Sequence, residues 1–142
     1  MRLTTFTDFA LRALMRLAGE PHRSFSTAEI ADEFRISRNH LSKVVRDLAA
    51  GGFVTTQRGA GGGFRLTRPA AAITLGEVVR TLEQRHALVE CFRDDGGDCV
   101  LRPRCRLKLR LAAAREAFMR ELDATTLADC AYPPTPHRDR AA

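Results

Sequence analysis

The stretch from Ser26 to Gly63 constrains the fold more than any other part of the chain. Ser26-Thr27-Ala28-Glu29 reads as a capping box. The serine hydroxyl can accept from a backbone N–H three residues on, and the glutamate can reach back to the serine N–H. A short helix is therefore expected from Thr27 to about Phe34. After a turn at Arg35-Ile36, Ser37 can cap another helix, with Leu41, Val44, Val45 and Leu48 on its buried face and Gly51-Gly52 at its end. Two β-prone runs follow, Phe53 to Arg58 and Phe64 to Thr67, separated by Gly59-Ala60-Gly61-Gly62-Gly63. Two helices around a tight turn, then a glycine-tipped hairpin, form the pattern of a winged helix-turn-helix.

The flanks fit around this unit. Phe6, Phe9, Ala10, Ala13, Leu14 and Leu17 recur at helical spacing, so a helix spans about Thr5 to Ala18, with Gly19 placed to end it. Thr74-Leu75-Gly76-Glu77 reads as a second capping box and opens a helix with Leu75, Val78, Val79 and Leu82 on its apolar face. The composition changes after Glu83, where residues 90–103 form an acidic, glycine-containing loop. Pro103 suits the first position of a last helix reaching about Thr125. Its apolar residues Leu107, Leu111, Ala114, Phe118 and Leu122 make a narrow seam. Such a seam fits a partner helix or the subunit's own packing, and a reader of two DNA half-sites favours the partner. The expected class is mostly α: a winged helix-turn-helix domain with a long C-terminal dimerisation helix. The expected division is residues 1–82 for DNA binding, 83–130 for the cysteine loop and dimerisation helix, and 131–142 as a Pro-rich, charged, disordered tail.

Charge points to the partner. The net charge is +6. Residues 1–68 hold 11 Lys+Arg against 6 Asp+Glu, whereas residues 69–142 are nearly balanced at 12 against 11. A positive N-terminal half suits double-stranded DNA, whose phosphates release counterions to bound cations. The outward residues at the start of the third helix are Ser37, Arg38, Asn39, His40, Ser42 and Lys43. Arginine can make a two-point contact with guanine, and asparagine can do so with adenine. Arg46 is placed for the backbone. Arg58 and Arg65 flank the glycines, where a hairpin tip can enter a minor groove. No phosphate loop, nucleotide fingerprint or Ser/His/Asp arrangement is present, so an enzyme is not expected. No apolar run reaches the roughly 18 residues of a membrane span, and no export signal is visible, so the expected location is the cytoplasm.

Cys91, Cys99 and Cys105 supply different chemistry. Disulfides are improbable in a reducing compartment, which leaves metal or redox roles. Zinc sites usually bring cysteines in pairs two to four residues apart. Here seven and five residues intervene, a spacing open enough to wrap an iron–sulfur cluster. Arg104 and Arg106 give Cys105 a positive surrounding that suits a thiolate ligand. Three thiolates leave a fourth position to be filled from elsewhere. Cys130 is a candidate, although an isolated cysteine there also reads as a small apolar residue.

The chain resembles a family of bacterial iron–sulfur winged-helix repressors that includes NsrR, IscR and RirA. The likeness is carried by Arg2-Leu3-Thr4 with Thr7-Asp8, Leu11-Arg12-Ala13-Leu14, Ser37-Arg38-Asn39-His40, Arg58-Gly59 through Arg65-Leu66, the three cysteines, and Leu122-Asp123 with Thr126-Leu127-Ala128-Asp129. The resemblance implies a homodimer in which Cys91, Cys99 and Cys105 hold one cluster per subunit, 4Fe-4S favoured and 2Fe-2S possible. In the nitric-oxide-sensing branch, to which the opening segment and Arg38-Asn39-His40 are most similar, an aspartate from the partner's first helix fills the fourth position. Asp8 stands at the matching place. The IscR branch uses a histidine three residues after the last cysteine, where this chain has Lys108. The implied effector is nitric oxide. Glu90-Cys91-Phe92 followed by Asp94-Asp95-Gly96 is similar to the RirA branch and implies iron instead.

Overall fold

Side-chain caps start the first three helices. The computed structural model describes residues 2–133. Helix α1 is Thr5–Gly19, α2 is Thr27–Phe34 and α3 is Arg38–Ala50. Thr4 accepts from the Thr7 N–H at the head of α1, and Ser37 accepts from the His40 N–H at the head of α3. The box at Ser26 is complete: Glu29 N–H donates to Ser26 Oγ at 3.1 Å, and Ser26 N–H donates to Glu29 Oε2 at 2.8 Å. Between α2 and α3, Arg35 takes the left-handed conformation (φ 55°) and Ile36 N–H returns to Ala31 O at 2.8 Å. That sharp reversal turns the chain directly from α2 into α3.

Strands β1 (Val54–Gln57) and β2 (Gly63–Leu66) pair antiparallel, with Val54 opposite Leu66 and Gln57 opposite Gly63. A further strand contact was not legible in the sequence. Phe25 N–H donates to Phe64 O at 3.0 Å, and Phe64 N–H donates to Phe25 O at 2.8 Å. The backbone before α2 thus pairs with the wing. This approach requires Gly63, because a Cβ there would strike the Phe25 carbonyl.

Helix α4 is Leu75–Glu83, and α5 is Arg106–Asp123. The box at Thr74 is only half formed. Thr74 accepts from Glu77 N–H at 3.1 Å, but the Glu77 carboxylate pairs with Arg68 instead of reaching back. Pro103 does not begin the last helix. Arg102 donates from its guanidinium to Gly96 O and from its N–H to Cys99 O, which holds residues 102–105 in the loop. The helix starts at Arg106, with Cys105 at its N-cap.

The core joins Ala10, Leu14 and Leu17 of α1 with Ile30, Leu41, Val44, Leu48, Phe53, Phe64, Ile73 and Val78. Burying one such Leu, Ile or Phe side chain contributes about 1.5–3 kcal/mol. Phe25 is buried, with the guanidinium groups of Arg16 and Arg23 lying over its ring, 4.7 Å and 4.3 Å from its centre. The segment after α5 returns to this core. Leu75 N–H donates to Thr125 O, Leu127 N–H to Ile73 O and Tyr132 N–H to Met15 O, each at 2.9 Å, and Leu127 is wholly buried. Residues 131–133 therefore lie along α1, while the rest of the expected tail, 134–142, falls outside the described residues.

Candidate nucleic-acid interface and cysteine loop

The candidate reading surface follows from the cap and phase of α3. Leu41, Val44, Val45 and Leu48 turn inward, so Ser37, Arg38, Asn39, His40, Ser42, Lys43 and Arg46 all stand exposed. Two of these hydroxyls are partly committed. Ser37 Oγ caps the helix, and Ser42 Oγ donates to Arg38 O at 2.8 Å. Arg38 rests 3.2 Å from Asp32, with both side chains 67% exposed. An exposed pair of this kind contributes about 0–1 kcal/mol, so a base edge can take over the guanidinium. Arg46 pairs with Asp47 at 3.1 Å. On the hairpin, Arg65 lies opposite Thr55 in the ladder, Arg58 follows the last residue of β1, and both arginines are exposed. Gly59 and Gly61 take positive φ (95° and 73°) with open space around them, leaving a slim tip between the two arginines. Arg35, exposed in the turn before α3, adds a cation that the sequence pattern had assigned only to the turn.

The three cysteines hang between α4 and α5. Cys91, Cys99, Cys105 and also Cys130 are free and half-buried. Among the described residues, no group of three or more His, Cys, Asp or Glu side chains is gathered closely enough to hold a metal ion. The loop is nonetheless folded back on itself. Asp98 N–H donates to Glu90 Oε1 at 2.9 Å, which joins the residues immediately before Cys99 and Cys91. Gly96 and Gly97 allow this fold through positive φ (74° and 58°). Phe92 lies 5.0 Å from the Arg115 guanidinium, which seats the loop against α5. Three free, half-exposed thiols on one folded loop are a donor set whose chemistry suits iron–sulfur ligation. Asp8 lies elsewhere, on α1, where Arg12 grips its carboxylate at 3.1 Å and 2.6 Å. Cys130 sits in the returning segment after α5, away from the cysteine loop in the chain order.

Sequence reasoning missed Glu83, the last residue of α4. Its Oε1 accepts from Thr4 N–H at 2.9 Å and from Thr4 Oγ1 at 2.7 Å. Burial alone would raise its carboxyl, but hydrogen bonds from Thr7 and Thr4 and the nearby His86 outweigh that and hold it below the usual glutamate range. The available signal was an acid at a helix C-terminus, where the dipole disfavours negative charge.

The profile of the Rrf2 family, described as iron-dependent transcriptional regulators, matches residues 3–133. The chain belongs to the Rrf2 family. It is 47% identical over 130 residues to the HTH-type transcriptional regulator NsrR of Geobacillus kaustophilus (strain HTA426), covering 91% of this chain and 88% of that protein. Its structure is similar to that of CymR (YrzC), the global cysteine regulator of B. subtilis, with a TM-score of 0.76 and 31% identity over 92% of this chain and 96% of that one. It is also similar to T. potens IscR, with a TM-score of 0.71 and 25% identity over 91% and 85% of the two chains. The chain is thus a transcriptional regulator with the winged-helix fold of the Rrf2 family. No helix among its described residues is long and apolar enough to cross a membrane.

Proposed function

We propose that this Rrf2 regulator is a homodimeric repressor whose grip on its operator is set by an iron–sulfur cluster sensitive to nitric oxide. The observation that carries the reading is the loop between α4 and α5, where three free thiols hang on a chain 47% identical to an NsrR regulator. Cys91, Cys99 and Cys105 would hold the cluster, with Asp8 of the partner subunit at the fourth position. When bound, the cluster would supply iron that reacts with nitric oxide. The chain's own residues do the rest. Ser37, Arg38, Asn39, His40, Ser42, Lys43 and Arg46 read the major groove and its phosphates, and Arg58 and Arg65 bracket the wing tip. The start of the α5 seam is left for a second copy to cover: Leu107 is 61% exposed, whereas Leu111, Phe118 and Leu122 are half-buried. To move a promoter from mostly bound to mostly free, the two states must differ in DNA affinity by several kcal/mol.

A second reading, an iron-level regulator with the same ligands, is favoured by the description of the family as iron-dependent and by the RirA-like run Glu90-Cys91-Phe92. Anaerobically purified protein, with iron and sulfide counted, separates the two. Duplexes selected by that protein from a random pool are titrated with nitric oxide, and separately with an iron chelator. Release by stoichiometric nitric oxide supports the first reading, and release only by the chelator supports the second. Colourless protein that binds the same duplexes at full strength, or Cys91→Ala protein that binds and responds like the wild type, refutes both.

A further inference from the structure

Glu83 occupies an unusual junction. It ends α4, and the cysteine loop begins at the next residue. An acid at this end of α4 meets the negative pole of its own helix, so its placement needs another cause. That cause is the opposite pole of α1. The carboxylate takes the N–H and hydroxyl of Thr4, the residue that caps α1. Thr7, whose hydroxyl lies 3.1 Å from that of Thr4, is wholly buried. The Glu83 side chain is only 14% exposed, so water competes weakly for these bonds. Helix α1 packs in turn against α3, with Ala10 and Leu14 in the same core as Leu41 and Val44.

We infer that Glu83 is a positioning residue that couples the root of the cysteine loop to the first turn of α1, and through α1 to the recognition helix α3 of the same subunit. The route is internal to one chain and separate from any ligand exchanged across a dimer. It rests on the cysteine loop being the sensing element, as proposed above. Among the described residues, no hydrogen bond or ion pair joins Glu83 to the proposed DNA-reading residues or to the cysteines. It transmits a shift of the loop because its two bonds to Thr4 require α1 to follow the end of α4. An energetic route of this kind is carried by contiguous bonded groups and is established by perturbing them, not by their adjacency alone.

The test uses the full chain, loaded with iron and sulfide or stripped by a chelator, and measures amide hydrogen exchange across residues 4–12. In the wild type, loading should slow exchange there by about fivefold or more, the change expected from roughly one hydrogen bond made firmer. In Glu83→Ala the difference between loaded and stripped proteins in this segment should shrink to the part that ligation by Asp8 alone supplies, with the Glu83→Ala, Asp8→Ala double variant as its zero, while iron content and visible absorbance of Glu83→Ala match the wild type. Glu83→Gln keeps an acceptor oxygen for Thr4 and should restore most of the difference. Thr4→Val, which removes the hydroxyl donor but keeps the N–H, should give an intermediate ratio. A merely structural role would speed exchange equally in both states and leave their ratio intact. Wild-type protein that takes up its cluster without any change in α1, or Glu83→Ala protein that keeps the wild-type ratio, overturns the inference and leaves the cluster reading standing. Protein that takes up no iron overturns both.

Discussion

The reading head and the cysteine arm are built on opposite terms. In the head, α1 to α3, the hairpin and the returning segment at Leu127 share one core whose large side chains are almost wholly covered. In the arm, Val100 is 92% exposed, Leu101 64% and Leu109 72%, and α5 buries only Met119 of its eighteen residues. The head is completed by its own chain. The arm has thiols, leucines and a cationic helix start, but little within the subunit to cover them. Large apolar side chains left open in this way mark a surface for association, whereas the head has spent its apolar surface on folding. The two parts thus differ in how much of their apolar surface their own chain covers, as expected where one element holds a shape and another is free to move.

The contrast can be broken most forcefully at Phe25. Phe25→Ala removes a buried ring, two guanidinium contacts and the packing beneath the wing. It should cost about 3–5 kcal/mol of unfolding free energy, read as the shift in urea midpoint. A change under about 1 kcal/mol would show that the head is not the tightly packed unit described.

Acid sharpens the comparison at the seam between the two parts. The Glu83 carboxyl lies below its usual range, so its contribution is fully present above the ordinary glutamate value of 4.5. That contribution is lost as pH falls through the lowered folded value. Urea midpoints measured from pH 3 to pH 6 should therefore fall more steeply on the acid side for the wild type than for Glu83→Gln. Identical profiles would mean that this carboxylate does not contribute.

The smallest expected effect lies in the arm. Leu107→Ser changes a side chain already 61% exposed, so the unfolding free energy of dilute single subunits should stay within about 0.5 kcal/mol of the wild type. Sedimentation should nevertheless show weakened self-association. Unaltered sedimentation at micromolar concentration would remove Leu107 from any subunit interface.

How much of this was legible in the residues differs between the parts for a physical reason. The head announces itself locally. The Ser26–Glu29 box, the Ser37 cap and the inward spacing of Leu41, Val44, Val45 and Leu48 act within one or two helical turns, and they fix α2 and α3 where the pattern puts them. The same holds for the exposure of Arg38, Asn39 and His40, since helical phase alone turns them outward. Features that depend on distant partners were hidden. The Phe25–Phe64 pairing joins residues far apart in sequence, Glu77 gives up its half of a cap to Arg68, and Arg102 holds back the start of α5 by binding Gly96. The cysteine loop is legible as chemistry, because three thiols are visible in any alignment of letters. Its spatial arrangement is not, because glycine turns and one Glu90–Asp98 bond decide it.

The pairing of Phe25 with Phe64 has a geometric corollary for the DNA. The lead-in to α2 is stitched to the wing, and α2 is locked to α3 by the turn at Arg35. Helix α3 and the hairpin tip are thereby joined through one hydrogen-bonded frame, like the two jaws of a caliper. If α3 and the wing touch DNA as proposed, a base pair inserted between the stretches they contact should abolish recognition within one subunit's site.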